Sequence, residues 1–407
     1  MKARSHQLEI SKLGYDVLKE HMICYLAMEE RTGKTITSIL MAEMCNIRDV
    51  LVVTKKKAVK DWLKVLSQFS HTKKYYVTNY HQVHKFGRCD LLILDEAHNY
   101  ISGYPEQSAM HKRMQENTSI RCPIIYLSAT PHAQGYQMLY HQFALSSWSP
   151  WRKYKTFYAW FKDYGIPSHA WYNSKQVPVY TKTKEELIIS ETKHLFITRT
   201  RKELKFKHEP IDKLHYINLI QSTKDIYNEL MEDKMYDFGN VELICDSPMK
   251  LRTSLHMLEG GVAKTSEIAI KNGKPRIVPK YWFLYNREKV TYILKTWGDT
   301  EDLVIYYHYI AEGRKLRKFF KKATVLQATS YAEGIDLAHI ETIVMYSQDF
   351  STAKHTQRRA RQASQDRDRP ITVHFLLVKK AVSEQVYNIV SVNKMNFVDS
   401  VFERNYL

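Results

Sequence analysis

The chain has 407 residues and a formal net charge of +18, from 61 Lys and Arg against 43 Asp and Glu. A hydrophobic content of 44% with 26% charged residues is ordinary for a globular protein and argues against a disordered or fibrous class. The basic excess favours a polyanionic partner. Nucleic acid is the leading candidate, although a basic surface also suits membranes, acidic proteins or solubility alone.

The remaining composition narrows the cellular setting. The five cysteines are scattered, with no Cys-x-x-Cys or Cys/His spacing, so neither a disulfide framework nor a zinc site is indicated. No apolar stretch approaches the roughly 18 residues needed to span a bilayer, and residues 1–9 lack the apolar segment of a secretion signal. We expect a soluble, intracellular protein in a reducing compartment, without a membrane partner.

Predicted helices and strands alternate along the first 130 residues. They are a helix over 4–20, a strand over 22–27, a helix over 36–45, a strand over 50–53, a helix ending near 69, and strands over 75–77, 91–94 and 124–127. Such alternation predicts a doubly wound α/β domain, in which ligands bind at the carboxyl ends of the parallel strands.

Gly33-Lys34-Thr35 lies between the first predicted strand and the helix that follows it. In a phosphate-binding loop, backbone N–H groups and the helix N-terminus face the phosphates, the lysine reaches the terminal ones, and the Thr hydroxyl can bind Mg²⁺. The full pattern has a glycine where this chain has Met28. The alternative to a phosphate loop is a turn with a stray lysine.

The apolar run at 91–94 ends in Asp95, Glu96 and, two residues later, His98. A continuous Leu/Ile run is typical of a strand buried on both faces of a parallel sheet, so the two acids are expected at its carboxyl end. In nucleotide hydrolysis one carboxylate can bind Mg²⁺ and the other can orient or deprotonate the attacking water. The competing interpretation is a pair of solvated surface charges.

Two further polar segments follow predicted strands. Ser128 and Thr130 follow the strand at 124–127 and could hydrogen-bond to the catalytic acids, or could simply form a turn before Pro131. Three lysines at 55–57 follow the strand at 50–53. They fit a contact with a nucleic-acid backbone and a solvated surface run equally well.

Ten aromatic residues between 148 and 172 are interleaved with basic ones. This composition suits base stacking, but the helical spacing of several of the rings favours packing in a core for most of them.

The charged stretch from 199 to 207 is predicted to connect two domains.

The second half begins with a segment, 211–295, that is predicted to be mostly helical. Strands are predicted over 303–307, 323–327, 342–346 and 371–377, which indicates a second α/β domain. An arginine of the 357–361 cluster could stabilise charge during phosphoryl transfer. Binding to nucleic-acid phosphate or to solvent explains this cluster equally well.

Taken in order, these motifs resemble those of superfamily two DNA helicases and translocases with a DEAH-box second motif. The chain looks closest to Snf-type translocases and small phage-encoded helicases, and the resemblance spans nearly the whole chain. His6-Gln7 ahead of the first strand, Trp62 after the second, and the helical segment around Leu251-Arg252 carry the finer likeness. The fold implied is two tandem RecA-like parallel-sheet domains with a mainly helical insertion between the motor halves.

The resemblance assigns roles to individual residues. Asp95 resembles the Mg²⁺ ligand, together with Thr35, Glu96 resembles the base, and Arg361 resembles the arginine finger. Residues implied in ATP binding are Gln7, which resembles the adenine-recognising glutamine, Arg31, Thr32, Gly33, Lys34, Thr35, Gly334, Asp336, Gln357 and Arg358. His98, Ser128 and Thr130 resemble the groups that couple hydrolysis to nucleic-acid contact.

Some positions depart from the family pattern. Thr54 stands where a proline is usual, and Arg31 stands where the remodellers have a glycine. Ser364 stands where many relatives have a second arginine, so either Arg358 or Arg359 fills that role or the register of the motif is shifted.

The resemblance implies an ATP-dependent DNA helicase or translocase that couples Mg²⁺-ATP hydrolysis between two lobes to movement along DNA. The expected domains are residues 1–200 for ATP binding, 201–300 for the connector and insertion, and 301–407 for the second motor domain. Single-stranded, forked or branched DNA is the expected partner, and the host cytoplasm the expected location if a phage encodes the chain. An RNA helicase, or a nucleic-acid-binding module with a degenerate nucleotide site, remains as an alternative.

Overall fold

The structure is a computed structural model. It describes residues 2–117, 121–132, 134–172, 175–208, 210–239, 241–271, 274–328, 337, 340–352, 355, 370–393, 397 and 402. The chain divides into two compact units, Met1–Phe206 and Lys207–Leu407. Across the described residues, no helix combines the length and the apolar character needed to cross a membrane.

The first unit is built on a six-stranded sheet whose strands are all parallel. Its strands are β1 (Ile23–Met28), β2 (Asp49–Thr54), β3 (Lys74–Asn79), β4 (Leu91–Asp95), β5 (Ile124–Leu127) and β8 (Phe196–Arg199), in the order β3-β2-β4-β5-β1-β8. The inner strands are buried on both faces, as their continuous apolar runs predict. The first five of these strands confirm the sequence prediction.

Helices and one small hairpin complete the first unit. The helices are α1 (Ser5–His21), α2 (Lys34–Met44), α3 (Val59–Gln68), α4 (Ala109–Asn117), α5 (Met138–Ala144), α6 (Phe157–Tyr164) and α7 (Glu185–Thr192), and the hairpin joins β6 (Ser168–Tyr172) to β7 (Lys175–Val179). Short 3₁₀ turns follow β3 and β4.

The aromatic segment after residue 148 is mostly core. Trp151 and Trp160 are fully buried, with ring centroids 5.2 Å apart, and Trp160 stacks on Tyr164 at 5.1 Å. Phe157 and Phe161 belong to the same buried cluster. Tyr158 is an exception because it is half-exposed. The prediction that most of these rings pack inside is therefore confirmed.

The second unit contains a five-stranded parallel sheet. Its strands are β9 (Pro210–Tyr216), β14 (Leu303–Tyr307), β15 (Thr324–Gln327), β16 (Thr342–Met345) and β17 (Ile371–Leu377), in the order β15-β14-β16-β17-β9. The four later strands confirm the sequence prediction. Together the two sheets confirm the fold class of two tandem RecA-like α/β domains.

The region predicted to be mostly helical is mixed. It holds α8 (Gln221–Asp233), α9 (Pro248–Glu259) and α10 (Glu288–Thr296), but also β9, the short pair β10 (Met235–Asp237) and β11 (Glu242–Ile244), and a long hairpin of β12 (Val262–Lys271) and β13 (Lys274–Phe283). Among the residues described in this unit there are also α11 (Ile310–Phe319) and a short helix at Val382–Val386, which continues as a π-helical segment at Tyr387–Val392. The helical prediction was wrong for 262–283, because the alternating Ile, Val and Thr pattern there favours a strand.

Candidate active site

The site residues predicted in the first half of the chain lie mostly at the carboxyl ends of the strands of the first sheet. Strands β1, β2, β4 and β5 are parallel, so their carboxyl ends point the same way. The predicted phosphate loop follows β1, the acid pair ends β4, and the Ser-Ala-Thr segment follows β5. Gln7 comes instead from the first turn of α1. The carboxyl ends of the strands are where a parallel sheet usually binds its ligand.

The loop between β1 and α2 has a backbone shape that suits an anion. Arg31 and Gly33 have φ angles of 69° and 93°, and α2 begins directly after Gly33. Left-handed residues in such a loop turn backbone N–H groups to a concave side, where the helix N-terminus adds positive potential. The φ angle of Gly33 favours glycine, and a Cβ there would lie 2.1 Å from Gln7 Nε2, so a larger residue would also displace the Gln7 side chain.

The side chains of this loop fold back onto it. Lys34 Nζ donates to the carbonyl oxygens of Met28 and Glu29, at 2.7 and 3.0 Å. Thr32 is buried and its hydroxyl donates to Glu29 O at 2.6 Å. Thr35 lies in the first turn of α2. The lysine ammonium is thus bound to neutral carbonyl oxygens, which a phosphate could replace with a stronger, charge-assisted partner.

Helix α1 brings Gln7 to the same loop. Gln7 is buried, its Oε1 accepts the Arg4 N–H at 2.8 Å, and its Nε2 faces the Cα of Gly33. His6 Nε2 is 3.2 Å from Thr32 O. The structure therefore places the predicted adenine-recognising residue beside the predicted phosphate loop.

Asp95 is fixed by donors that sequence reasoning did not assign to it. Its Oδ2 accepts hydrogen bonds from Thr54 Oγ1 at 2.7 Å and from Trp62 Nε1 at 3.0 Å. Its carbonyl oxygen accepts the Tyr80 hydroxyl at 3.0 Å. In the sequence, Thr54 was notable only because it departs from the family pattern, and Trp62 only because it matches that pattern. Both orient the carboxylate that is predicted to bind Mg²⁺.

Glu96 contacts a short chain of polar groups. It has a left-handed backbone, with φ 54°, and its N–H donates to Leu127 O at 2.8 Å, which ties β4 to β5. Glu96 Oε2 is 3.4 Å from His98 Nδ1, and that nitrogen is 2.8 Å from Ser128 Oγ. The Thr130 N–H donates to the same Oγ at 2.9 Å. The three predicted coupling residues therefore form one connected path to the predicted base.

His98 is neutral in this setting. Burial, with smaller contributions from the charges of Lys55 and Lys34, lowers the pKa of His98 to about 3. The Asn99 amide donates to Nε2 at 2.9 Å, which leaves the ring proton on Nδ1. His98 thus donates from Nδ1, as a neutral group, toward Ser128 Oγ and Glu96 Oε2.

The hydroxyl group of Thr130 is available for a hydrogen bond to a bound group. Its Oγ1 is buried, and among the residues that the structure describes it finds no hydrogen-bond partner. A buried hydroxyl without a partner is costly, so its place at the end of the path from Glu96 suits contact with a bound group. This is consistent with the role that the sequence predicted.

Sequence reasoning missed the contribution of residues 199–201. The stretch 199–207 was predicted to be a connector, and the first unit does end near its end, at Phe206. The start of this stretch, however, contacts and supports the phosphate loop. Strand β8 pairs with β1, and the Glu29 N–H donates to Arg199 O at 3.0 Å. Arg201 is mostly buried, with Nε 3.7 Å from Glu29 Oε2 and Nη1 3.6 Å from Glu30 Oε2.

The second-half site predictions lie outside the described residues. They are Gly334, Asp336, Gln357, Arg358 and Arg361, with the related Arg359 and Ser364. Their roles therefore stay predictions.

Comparisons with known proteins gave matches among solved structures alone. No family model matches the chain, and no curated protein does. The chain is similar to the Sulfolobus solfataricus SWI2/SNF2 ATPase core in complex with dsDNA, at 14% identity and a TM-score of 0.43, over 100% of this chain and 95% of that one. It is also similar to the Sulfolobus solfataricus SWI2/SNF2 ATPase core domain, at 14% identity and a TM-score of 0.41, over 98% of this chain and 92% of that one.

Proposed function

We propose that the protein is an ATPase that uses Mg²⁺-ATP hydrolysis to move along DNA, as a translocase or a helicase. The observation that carries this proposal is the connected path from Glu96 through His98 to Ser128 and Thr130, beside a loop shaped for phosphate. Such a path gives the predicted base a polar link to a neighbouring strand end. A solvated surface pair of acids would need no such link.

ATP would be bound by the phosphate loop between β1 and α2 and by helix α1. The N–H groups around Arg31, Thr32 and Gly33 would hold the phosphates, with Lys34 moving from its two carbonyl oxygens to the terminal phosphate. Gln7, which lies beside Gly33, would recognise the adenine, as the resemblance implies.

The donor set fits Mg²⁺. Asp95 offers a carboxylate whose Oδ2 is already held by Thr54 and Trp62, and Thr35 offers a hydroxyl at the start of α2. Mg²⁺ in nucleotide sites commonly binds one or two protein oxygens together with phosphates and water. When bound it would neutralise phosphate charge.

Glu96 would accept the proton of the attacking water or orient it. The neutral His98 directs its Nδ1–H toward this carboxylate and would help to orient it for that role. Ser128 and Thr130 would report the state of Glu96 to the rest of the chain. Gly334, Asp336, Gln357, Arg358 and Arg361 would complete the reaction as the resemblance implies.

DNA is the proposed track. The net charge of +18 supports a polyanionic partner, and the similar archaeal ATPase core is described in complex with dsDNA. The proposed organisation keeps the predicted ATP-binding domain at 1–200, connector and insertion at 201–300, and second motor domain at 301–407. RNA is the alternative nucleic-acid partner, and the assay below distinguishes DNA from RNA by how strongly each stimulates ATP hydrolysis.

The test is ATP hydrolysis with no nucleic acid and with single-stranded, duplex, forked and four-way DNA or RNA, at one ionic strength. We expect DNA to stimulate hydrolysis, and Glu96→Gln to lower kcat by about 10²- to 10⁴-fold because it removes the base. Lys34→Ala should weaken ATP binding, and Arg361→Ala should lower kcat.

The matched control is Glu116→Gln, which changes an exposed glutamate on α4 in the same way. It should hydrolyse ATP at the original rate. Hydrolysis that is independent of DNA and survives all three site substitutions would falsify the proposal, and stronger stimulation by RNA would reassign the track.

A further inference from the structure

Two cysteines that are 33 residues apart in the sequence meet in the first unit. Cys89 lies just before β4 and Cys122 just before β5, and both are free thiols. Their Sγ atoms are 3.7 Å apart. Because β4 and β5 are neighbouring parallel strands, their amino ends bring the two thiols together. Strand order creates this pair, and no Cys-x-x-Cys spacing marks it in the sequence.

The backbone on either side of the two thiols is held in place. The Leu92 N–H donates to Pro123 O at 3.0 Å, and the Asp90 N–H donates to Asp49 O at 2.9 Å. Asp90 Oδ2 accepts the N–H groups of Arg48 and Asp49, both at 2.9 Å. The closeness of the thiols is therefore a property of the sheet itself.

A cavity gives solvent access to the pair. It has a volume of about 600 Å³ and is lined by both cysteines, with the exposed Arg48 and Arg121 beside them. It lies at the amino ends of β4 and β5, whereas the predicted ATP site lies at the carboxyl ends of the same strands. Cys89 is partly exposed and Cys122 is only 8% exposed. A small dissolved reagent therefore reaches Cys89 first.

Cys89 is also the more acidic thiol of the pair. The hydrogen bond from the Cys122 thiol lowers the pKa of Cys89, although burial and the carboxylates of Asp90 and Asp49 oppose that effect. The same contact, together with burial, raises the pKa of Cys122. The thiolate is the form of cysteine that oxidants attack, and redox-sensitive cysteines commonly have an accessible, acidic thiol beside a second one.

We propose that Cys89 and Cys122 are an oxidation site, at which a hydroperoxide converts the two thiols into a reversible disulfide. In the first step the Cys89 thiolate attacks an oxygen of the peroxide. An S–O bond forms, the O–O bond breaks, and the leaving hydroxide or alkoxide takes up a proton. The product on Cys89 is a sulfenic acid.

Cys122 completes the reaction. Its sulfur attacks the sulfur of Cys89, an S–S bond forms, and the S–O bond breaks as hydroxide leaves and takes the Cys122 proton to become water. The two thiols lose two electrons in total, and the peroxide gains them. Exchange with an external thiol, which is itself oxidised to a disulfide, returns both cysteines to the reduced form.

The geometry requires little movement for this step. The sulfur atoms are 3.7 Å apart, against about 2.05 Å in a disulfide, so small shifts of the two side chains close the bond. The resulting loop, 89–122, contains β4 with Asp95 and Glu96. The inference is independent of the proposed function, because it needs neither nucleotide nor DNA.

The test treats the reduced full chain with hydrogen peroxide, blocks the remaining thiols with N-ethylmaleimide, and maps the products by mass spectrometry after trypsin digestion. Cleavage after Arg88 and Arg121 leaves the two cysteines on separate peptides, 89–112 and 122–152. We expect these two peptides to be joined in the main oxidation product, and the link to disappear after treatment with dithiothreitol.

Two single substitutions test the order of the steps. In Cys122→Ser, oxidation should stop at the sulfenic acid of Cys89, which dimedone traps. In Cys89→Ser, Cys122 should stay reduced, because its thiol is buried and weakly acidic. Oxidation of Cys122 in the folded Cys89 variant, at the rate of Cys89 in the original chain, would overturn the assigned order.

The matched control is Cys45→Ser, which replaces another partly exposed cysteine of the same unit. It should form the link as the original chain does. Circular dichroism establishes that each protein is folded, and a non-reducing gel establishes that the link lies within one chain. The proposal is overturned if folded chains keep both thiols reduced, if Cys89 proceeds to a sulfinic acid without the link, or if the link joins two copies. Absence of ATPase activity counts against the proposed function alone.

Discussion

At the scale of single residues, the acid pair is defined by the groups that hold it. Thr54 and Trp62 donate to one oxygen of Asp95, which fixes the direction in which the other oxygen points. Replacing a residue that orients a metal ligand typically weakens metal binding or activity by about 10- to 100-fold. A departure from a family pattern at Thr54 therefore has a physical role in this chain.

We predict that Thr54→Val raises the Mg²⁺ concentration for half-maximal ATP hydrolysis by about 10-fold or more. Valine has nearly the shape of threonine, so the fold should persist while Asp95 loses one of its two side-chain donors. A Mg²⁺ titration of the ATPase rate measures the effect.

Thr72→Val provides the control, because the Thr72 hydroxyl donates to the carboxylate of Glu43 elsewhere in the same unit. It should leave the Mg²⁺ dependence unchanged. Equal Mg²⁺ dependence of the Thr54 variant and the original chain would contradict the orienting role.

At the scale of elements, the phosphate loop is supported from both sides. Helix α1 places Gln7 against Gly33, and strand β8 leads to Arg201, which contacts Glu29 and Glu30. The Arg201 N–H also donates to Glu29 Oε2 at 2.6 Å. Because these contacts hold the loop in its shape before ATP arrives, they reduce the ordering cost of binding.

We predict that Arg201→Met weakens ATP binding by about 10-fold, through a less ordered loop. Methionine retains an apolar stem of similar length but removes the charge that faces the two glutamates. Titration with a fluorescent ATP analogue measures the affinity. Lys202→Ala is the control because Lys202 is exposed and one residue away. If both variants bind ATP equally well, Arg201 has no part in ordering the loop.

At the scale of the whole molecule, buried neutral histidines make stability depend on pH. Burial, with the nearby His141 as a smaller cause, lowers the pKa of His111 to about 4, and His111 Nε2 lies 2.8 Å from His141 O. The folded pKa lies below the unfolded value near 6.5, so the unfolded state binds the proton more readily. The contribution is present above pH 6.5 and is lost as the pH falls toward 4. Burial acts in the opposite direction on Glu259, whose pKa rises to about 7.

We predict that His111→Gln makes the free energy of unfolding less sensitive to acid. Between pH 7 and pH 5 the original chain should lose about 2 kcal/mol through His111, and the variant should not. Glutamine can donate the same hydrogen bond to His141 O without taking up a proton. Denaturant unfolding at the two pH values provides the measurement. Parallel losses in both proteins would exclude His111 as a source of acid sensitivity.

The sequence by itself determined the alternation of strands and helices in both units and the candidate groups at the first sheet. Gly33, Lys34, Asp95 and Glu96 could be predicted because an apolar run that ends in a polar motif defines a strand and its carboxyl end locally. The sequence also contained the signal for the hairpin at 262–283. A helix was predicted there wrongly, because short alternating runs of apolar residues also fit helical spacing over the same positions.

Only the tertiary structure decided which distant groups meet. Thr54 and Trp62 reach Asp95 because β2 and β4 are neighbours in the sheet, and Arg201 reaches the phosphate loop because β8 pairs with β1. The pKa of His98 likewise depends on burial and on lysines far away in sequence. Strand order, register and desolvation are set by packing across the whole unit, and no local pattern of residues specifies them.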